Sequence, residues 1–286
     1  MGPSQVDRMV GELRTLLLKT IELVIEVTDD AAWDNPASRS RAGKEQAEEE
    51  SRHALQTGSW PWLFVPMAAR LALEVAIEET RGFVAVLDSE ATCYAADVLC
   101  RAVLESSSLL WWLLDPDIGA EQRLARGLLY RLHTAWETQR AVDHLGLGED
   151  AERSEYGQLP GVVEQEITQL GLGWTWSDSG RKLSWGDLRE TWPSYTDRVG
   201  VLAGRIWPQP KLPYAVLSAV AHAELLGLIR NISPLRGEHR PWRLAPDPVG
   251  LWLWQNAYLL LGALMFTADR AADFLGKPDK LAALRA

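Results

Sequence analysis

From residue 249 to residue 268 the chain carries no charged side chain. A run of that length can span a bilayer, and in water it has to be covered by other elements packed against it. The choice between these two environments governs what the rest of the chain must supply. Gln255 and Asn256 lie in the middle of the run, Gly250 and Gly262 interrupt it, and no Lys- or Arg-rich segment flanks it. These features favour the central helix of a bundle over a membrane span.

The remaining sequence reads as the helices that such a bundle needs. A first helix is expected over 4–27, with Ser4 as N-cap and Val10, Leu13, Leu17, Ile21, Val24 and Val27 on one stripe. Pro66 opens a helix over 66–88, and Ser89 caps another over 89–114 that stops at Asp115-Pro116. Further helices are expected over 120–145, 161–170, 194–207, 213–231 and 248–275, the last closed by Gly276. Segment 34–58 reads as a polar loop and a solvated helix. Segment 146–193 reads as an irregular connection with a small hairpin around Asp178-Ser179-Gly180. The expected fold is all-α, a bundle of seven to nine helices with one small β-hairpin insertion, in a single domain over 1–286.

Composition narrows the partners. The hydrophobic fraction of 47% and charged fraction of 24% are those of folded globular chains. A formal charge of −10 argues against a broad contact with phosphate backbones, so nucleic acid is not the expected partner. Cys93 and Cys100 lie about 10 Å apart along one expected helix, too far for a disulfide. The start of the chain shows no secretion signal, and a cytoplasmic location is expected. The 14 Trp against 4 Phe and 6 Tyr provide large amphipathic aromatic surfaces.

Three expected helices carry polar groups at spacings that place them on one face. The first line is Asp97, Arg101, Glu105, Ser108 and Trp112. The second is Arg126, Tyr130, His133, Glu137 and Arg140. The third is Tyr214, Ser218 and His222, within a helix otherwise rich in Ala, Val and Leu. The first two lines suit solvated faces. The third places Ser218 and His222 inside the bundle, and if Arg101, Glu105 or His133 faces them the set is an enclosed general acid/base site. On that reading His222, Glu105 and His133 are the catalytic candidates. Arg101, Arg126, Tyr130, Tyr214, Ser218 and Trp112 are the substrate-binding ones, and Trp111, Trp112, Trp252 and Trp254 could wall a cavity. No glycine-rich phosphate loop, zinc-spaced cysteine pair or His-Glu-x-x-His run occurs, so no cofactor and no metal is expected. Asp29, Asp30 and Asp34, or Asp115 with Asp117, are loop carboxylates of a common kind.

The runs RAVLESSSLLWWLLDPDIGAEQRLARGL, WPSYTDRV and YAVLSAVAH resemble a family of actinobacterial helical proteins without an assigned activity. That family is distantly similar to the DUF5677 group and, more remotely, to HEPN-type proteins. The resemblance rests on Arg101 with Glu105, Asp115-Pro116, Arg123 with Arg126, Pro193-Ser194-x-Thr196, and Tyr214, Ser218 and His222, over about two thirds of the chain. The HEPN likeness implies a ribonuclease or defence component that dimerises to bring together Arg126 and His133, although Gly127 stands where a polar residue usually follows the Arg. Three functions are thus expected in turn. The first is a non-redox small-molecule enzyme, a lyase, cyclase or transferase, with a small-molecule ligand in an aromatic-lined pocket. The second is a HEPN-like nuclease acting as a homodimer, and the third a non-catalytic binding or scaffold protein.

Overall fold

A computed structural model describes residues 5–28, 33–53, 64–87, 93–144, 151–177, 180–185, 188–222 and 248–277. Among them are nine helices: α1 Gln5–Val27, α2 Arg41–His53, α3 Phe64–Leu87, α4 Cys93–Leu113, α5 Ala120–His144, α6 Ala151–Gln169, α7 Tyr195–Ala203, α8 Leu212–Ala221 and α9 Pro248–Leu275. Three short strands, β1 Gly173–Ser177, β2 Gly180–Trp185 and β3 Leu188–Thr191, form an antiparallel meander in that order. The all-α bundle expected from the sequence is therefore the observed fold, and the insertion has one strand more than the expected hairpin. Its register pairs Trp174 with Leu183 and Lys182 with Thr191.

The hub of the bundle is α4, which packs against α3, α9, α7 and α8. Val103, Leu104, Leu110 and Leu113 on α4 are fully buried, as are Leu260, Ala263 and Leu264 on α9. A hydrogen bond from Asn256 Nδ2 to Asp97 Oδ1 at 2.8 Å, with both residues buried, sets the register of α9 on α4. A buried amide and carboxylate keep their place only when paired, so the pair tolerates no slip. The polar residue in the middle of the charge-free run thus has a structural use. No described helix is long and apolar enough to cross a membrane. Nor is α9 sheathed on all sides: Trp254, Tyr258 and Met265 are exposed along one face.

Several boundaries differ from expectation. Helix α6 is longer than the expected 161–170 and carries Pro160 within it. Helix α8 stops at Ala221, with His222 as C-cap, whereas the apolar pattern predicted a helix to 231. The expected caps Ser4 and Ser89, the hairpin tip at 178–179 and the segment beyond 222 fall outside the described residues. The polar helix α2 is not simply solvated. Its Ala42 and Glu45 are buried, because Glu45 meets Arg123 of α5 at 3.0 Å.

Candidate functional site

The three polar lines converge. Each was expected separately, and the fold brings them to one junction where α4, α5, α7 and α8 meet the chain that leaves β3. The lines on α4 and α5 are not solvated faces as their charges suggested: Asp97, Ser108 and Arg126 are buried, and Arg101, Glu105, Trp112, Tyr130 and His133 are half-buried. Only the far end of the second line, Glu137 and Arg140, is exposed. Contact with α7 and α8 covers the first line, and the turn after β3 covers the second.

At one side of the junction, Glu105 is held on a single oxygen. Arg101 Nε and Tyr214 Oη both donate to Oε1, each at 2.7 Å. The other oxygen, Oε2, has no hydrogen-bond partner among the described residues. Burial first, and then the hydrogen bond to Glu105 and its charge, push the Tyr214 phenol up to about 12. Tyr214 is therefore a donor throughout the physiological range. Burial opposes the charge of Arg101, but the hydrogen bond and charge of Glu105 outweigh it and hold the guanidinium above its ordinary value.

Arg101 also contacts His222, Nη1 to Nε2, at 3.3 Å. A guanidinium has no acceptor, so in this contact Nε2 must accept and the ring proton sits on Nδ1. The expected meeting of His222 with Arg101 is present. The expected enclosure is not, because His222 is exposed. As the C-cap of α8 it lies past the last helical residue, where the ring leaves the packed face. Ser218, one turn back, is half-buried rather than fully enclosed.

On the other side, Trp192 is the centre of an aromatic cluster. It stacks on His133 at 4.4 Å and 25° and on Tyr130 at 6.0 Å and 24°, and meets Trp112 edge-on at 5.3 Å. His133 Nδ1 lies 4.0 Å from Glu137 Oε1. Arg126 covers the Trp112 ring at 5.2 Å, and its Nε and Nη1 are committed. Nε goes to Glu190 Oε2 at 3.2 Å, and Nη1 to the Trp112 carbonyl at 2.6 Å and Asp115 Oδ2 at 3.3 Å. Arg126 thus ties α5 to β3 and to the end of α4.

Two residues of the junction carry no mark in the polar lines, Trp192 and Arg198. Arg198 is placed by the cap of α7: Ser194 Oγ accepts from the Asp197 backbone N–H at 3.1 Å, and Ser194 Oγ donates to Asp197 Oδ2 at 2.7 Å. That Ser-x-x-Asp cap starts the helix so that Arg198 points inward together with Val199 and Leu202. The cap was the one signal that could have pointed to Arg198.

Among the described residues, Trp111, Trp112 and Trp254 do not share one wall. Trp111 packs edge-on against Phe266 under Arg270, Trp112 belongs to the Trp192 cluster, and Trp254 is exposed. The Trp252 side chain lies outside what is described. Three cavities among the described residues lie elsewhere. One of about 360 Å³ lies between α1 and α3, one of about 270 Å³ between α3, α5 and α6, and one of about 190 Å³ beside Trp207 and Asn256. No family model matches the chain, and neither the curated proteins nor the solved structures give a match.

Proposed function

We propose that the chain is a non-redox small-molecule enzyme acting by general acid/base chemistry at the junction of α4, α5, α7 and α8. The observation that carries this reading is the asymmetric holding of Glu105. One oxygen is fixed by Arg101 and Tyr214, the other has no partner among the described residues, and the side chain is half-buried. A carboxylate held in this way is positioned to take a proton from a bound molecule without first reorganising. In this scheme Glu105 is the base and Arg101 and Tyr214 are positioning residues. The proton taken by Glu105 returns to the product from the same carboxyl, and His222 offers its neutral Nδ1–H at the rim as a hydrogen-bond donor. The reaction classes that fit are those that begin with proton removal, a lyase or a cyclase, or an acid/base-assisted transfer.

A second reading has its own support. His222 is exposed and the three described cavities are not lined by it or by Glu105, which suits a binding protein that turns nothing over. A HEPN-like nuclease, the reading to which the Arg126 and His133 likeness belongs, requires Arg126 to reach a phosphate. Here three acceptors hold it.

The test is proton exchange. A panel of small carboxylates and phosphate esters is incubated with the protein in D₂O, and ¹H NMR follows deuterium entering a carbon of the substrate. Exchange with wild type that falls about 10²- to 10⁴-fold in Glu105→Gln supports the enzyme. Exchange that Glu105→Gln leaves intact rules out Glu105 as the base. Binding of a panel member without exchange favours the second reading.

A further inference from the structure

Three arginines are buried among the described residues, and two of them are paired with carboxylates. Arg123, 1% exposed, donates to both oxygens of Glu45 and to the carbonyls of Leu113, Asp115 and Ile118. Arg126, 9% exposed, has two carboxylates and a carbonyl. Arg198, 4% exposed, has neither. Its Nε donates to Ser108 Oγ at 3.2 Å, its Nη1 is buried with no partner, and no described carboxylate lies within ion-pair distance. Burial lowers its affinity for its proton, and Glu105 acts on it only through space.

A guanidinium taken out of water needs its charge and its donors answered, and Arg123 and Arg126 each meet at least one carboxylate. Two rings face Arg198, Trp192 at 5.0 Å and Tyr195 at 4.9 Å. They offset part of the charge, but they accept none of the N–H groups in its plane. The donors left over are those of the Nη edge, the fork that matches the two oxygens of a carboxylate or phosphate. Tyr195 is 44% exposed, so the cation lies one exposed ring away from solvent.

We propose that Arg198 is an oxyanion subsite: its Nη edge takes the carboxylate or phosphate of a small-molecule ligand, with the rings of Trp192 and Tyr195 against the guanidinium. This rests on the placing of the functional site at the same junction and names its ligand class as anionic. Ser108 is a positioning residue. It accepts from Arg198 Nε and donates to the Glu105 carbonyl at 2.8 Å, which fixes the guanidinium to α4.

The experiment titrates the full chain with benzoate and with inorganic phosphate by calorimetry at constant ionic strength, with chloride as control. Saturable binding of at least one oxyanion to wild type is expected, about tenfold or more weaker in Arg198→Met and weaker by a smaller factor in Ser108→Ala. A preference for benzoate identifies a carboxylate ligand, and a preference for phosphate a phosphorylated one. Should Arg198→Met not fold, Ser108→Ala decides, since it keeps the guanidinium and loses only its support. No binding beyond chloride, or binding that neither substitution weakens, overturns the subsite and leaves Arg198 a structural cation held by two rings. Glu105→Gln is expected to bind at least as well as wild type. A failure of Glu105 as a base therefore leaves the subsite standing, whereas proton exchange without Arg198-dependent binding overturns the subsite alone.

Discussion

Tyr214 is the residue whose environment can be read most directly in solution. Its hydroxyl is buried and donates to a carboxylate, so ionising it would place two negative oxygens 2.7 Å apart. The folded value is about 12 against an ordinary 10.0. A phenol whose value is raised by folding contributes stability that is complete below pH 10 and is lost as pH climbs through 12. Ultraviolet titration is expected to show a late-ionising tyrosine that disappears in Tyr214→Phe. The stability difference between the two proteins should shrink over that same window. A Tyr214→Phe titration that overlays wild type at high pH would show that the phenol does not meet Glu105.

Among the elements, α2 shows how a polar helix is kept on the bundle. The Glu45 and Arg123 pair is buried at both ends, and Arg123 also holds the carbonyls at the end of α4 and covers the Phe274 ring of α9 at 5.4 Å. One side chain of α5 therefore ties α2, α4 and α9 together. Burial pushes the Glu45 carboxyl up, and Arg123 works against that rise. Removing the cation strands the carboxylate, so Arg123→Met should cost about 3–5 kcal/mol in urea unfolding at pH 7. The double variant Glu45→Met, Arg123→Met should be less destabilised than Arg123→Met alone. Additive losses would mean that the two groups are not coupled.

Such pairings also mark where reading the sequence stops. The apolar stripes of α1 and α3 and the charge-free run of α9 are local patterns, and the helices they predicted are present. Whether a line of charges faces water depends on what lies opposite it, which spacing along one helix cannot reveal. Hence Arg101, Glu105 and Ser108 looked like a solvated line until α7 and α8 were placed over them. His222 failed in the opposite sense. Its apolar neighbours implied an interior ring, but the described helix ends one residue before it. Arg198 was illegible for a third reason: nothing in the sequence distinguishes a buried guanidinium with acceptors from one without.

At the scale of the whole molecule, the bundle wraps one hub helix and gathers its polar candidates on the side of α4 that α7 and α8 cover. The described cavities lie at other seams, two of them beside Trp33 and Trp207. The central claim is that function resides at the Trp192 junction and not at those seams. The indole N–H signals of ¹⁵N-tryptophan-labelled protein test it in one titration with benzoate or phosphate, with Trp192 assigned through Trp192→Phe. A saturable shift is expected at Trp192, with Trp112 following it. Shifts confined to Trp33 or Trp207, or no shift at any indole, would contradict the account.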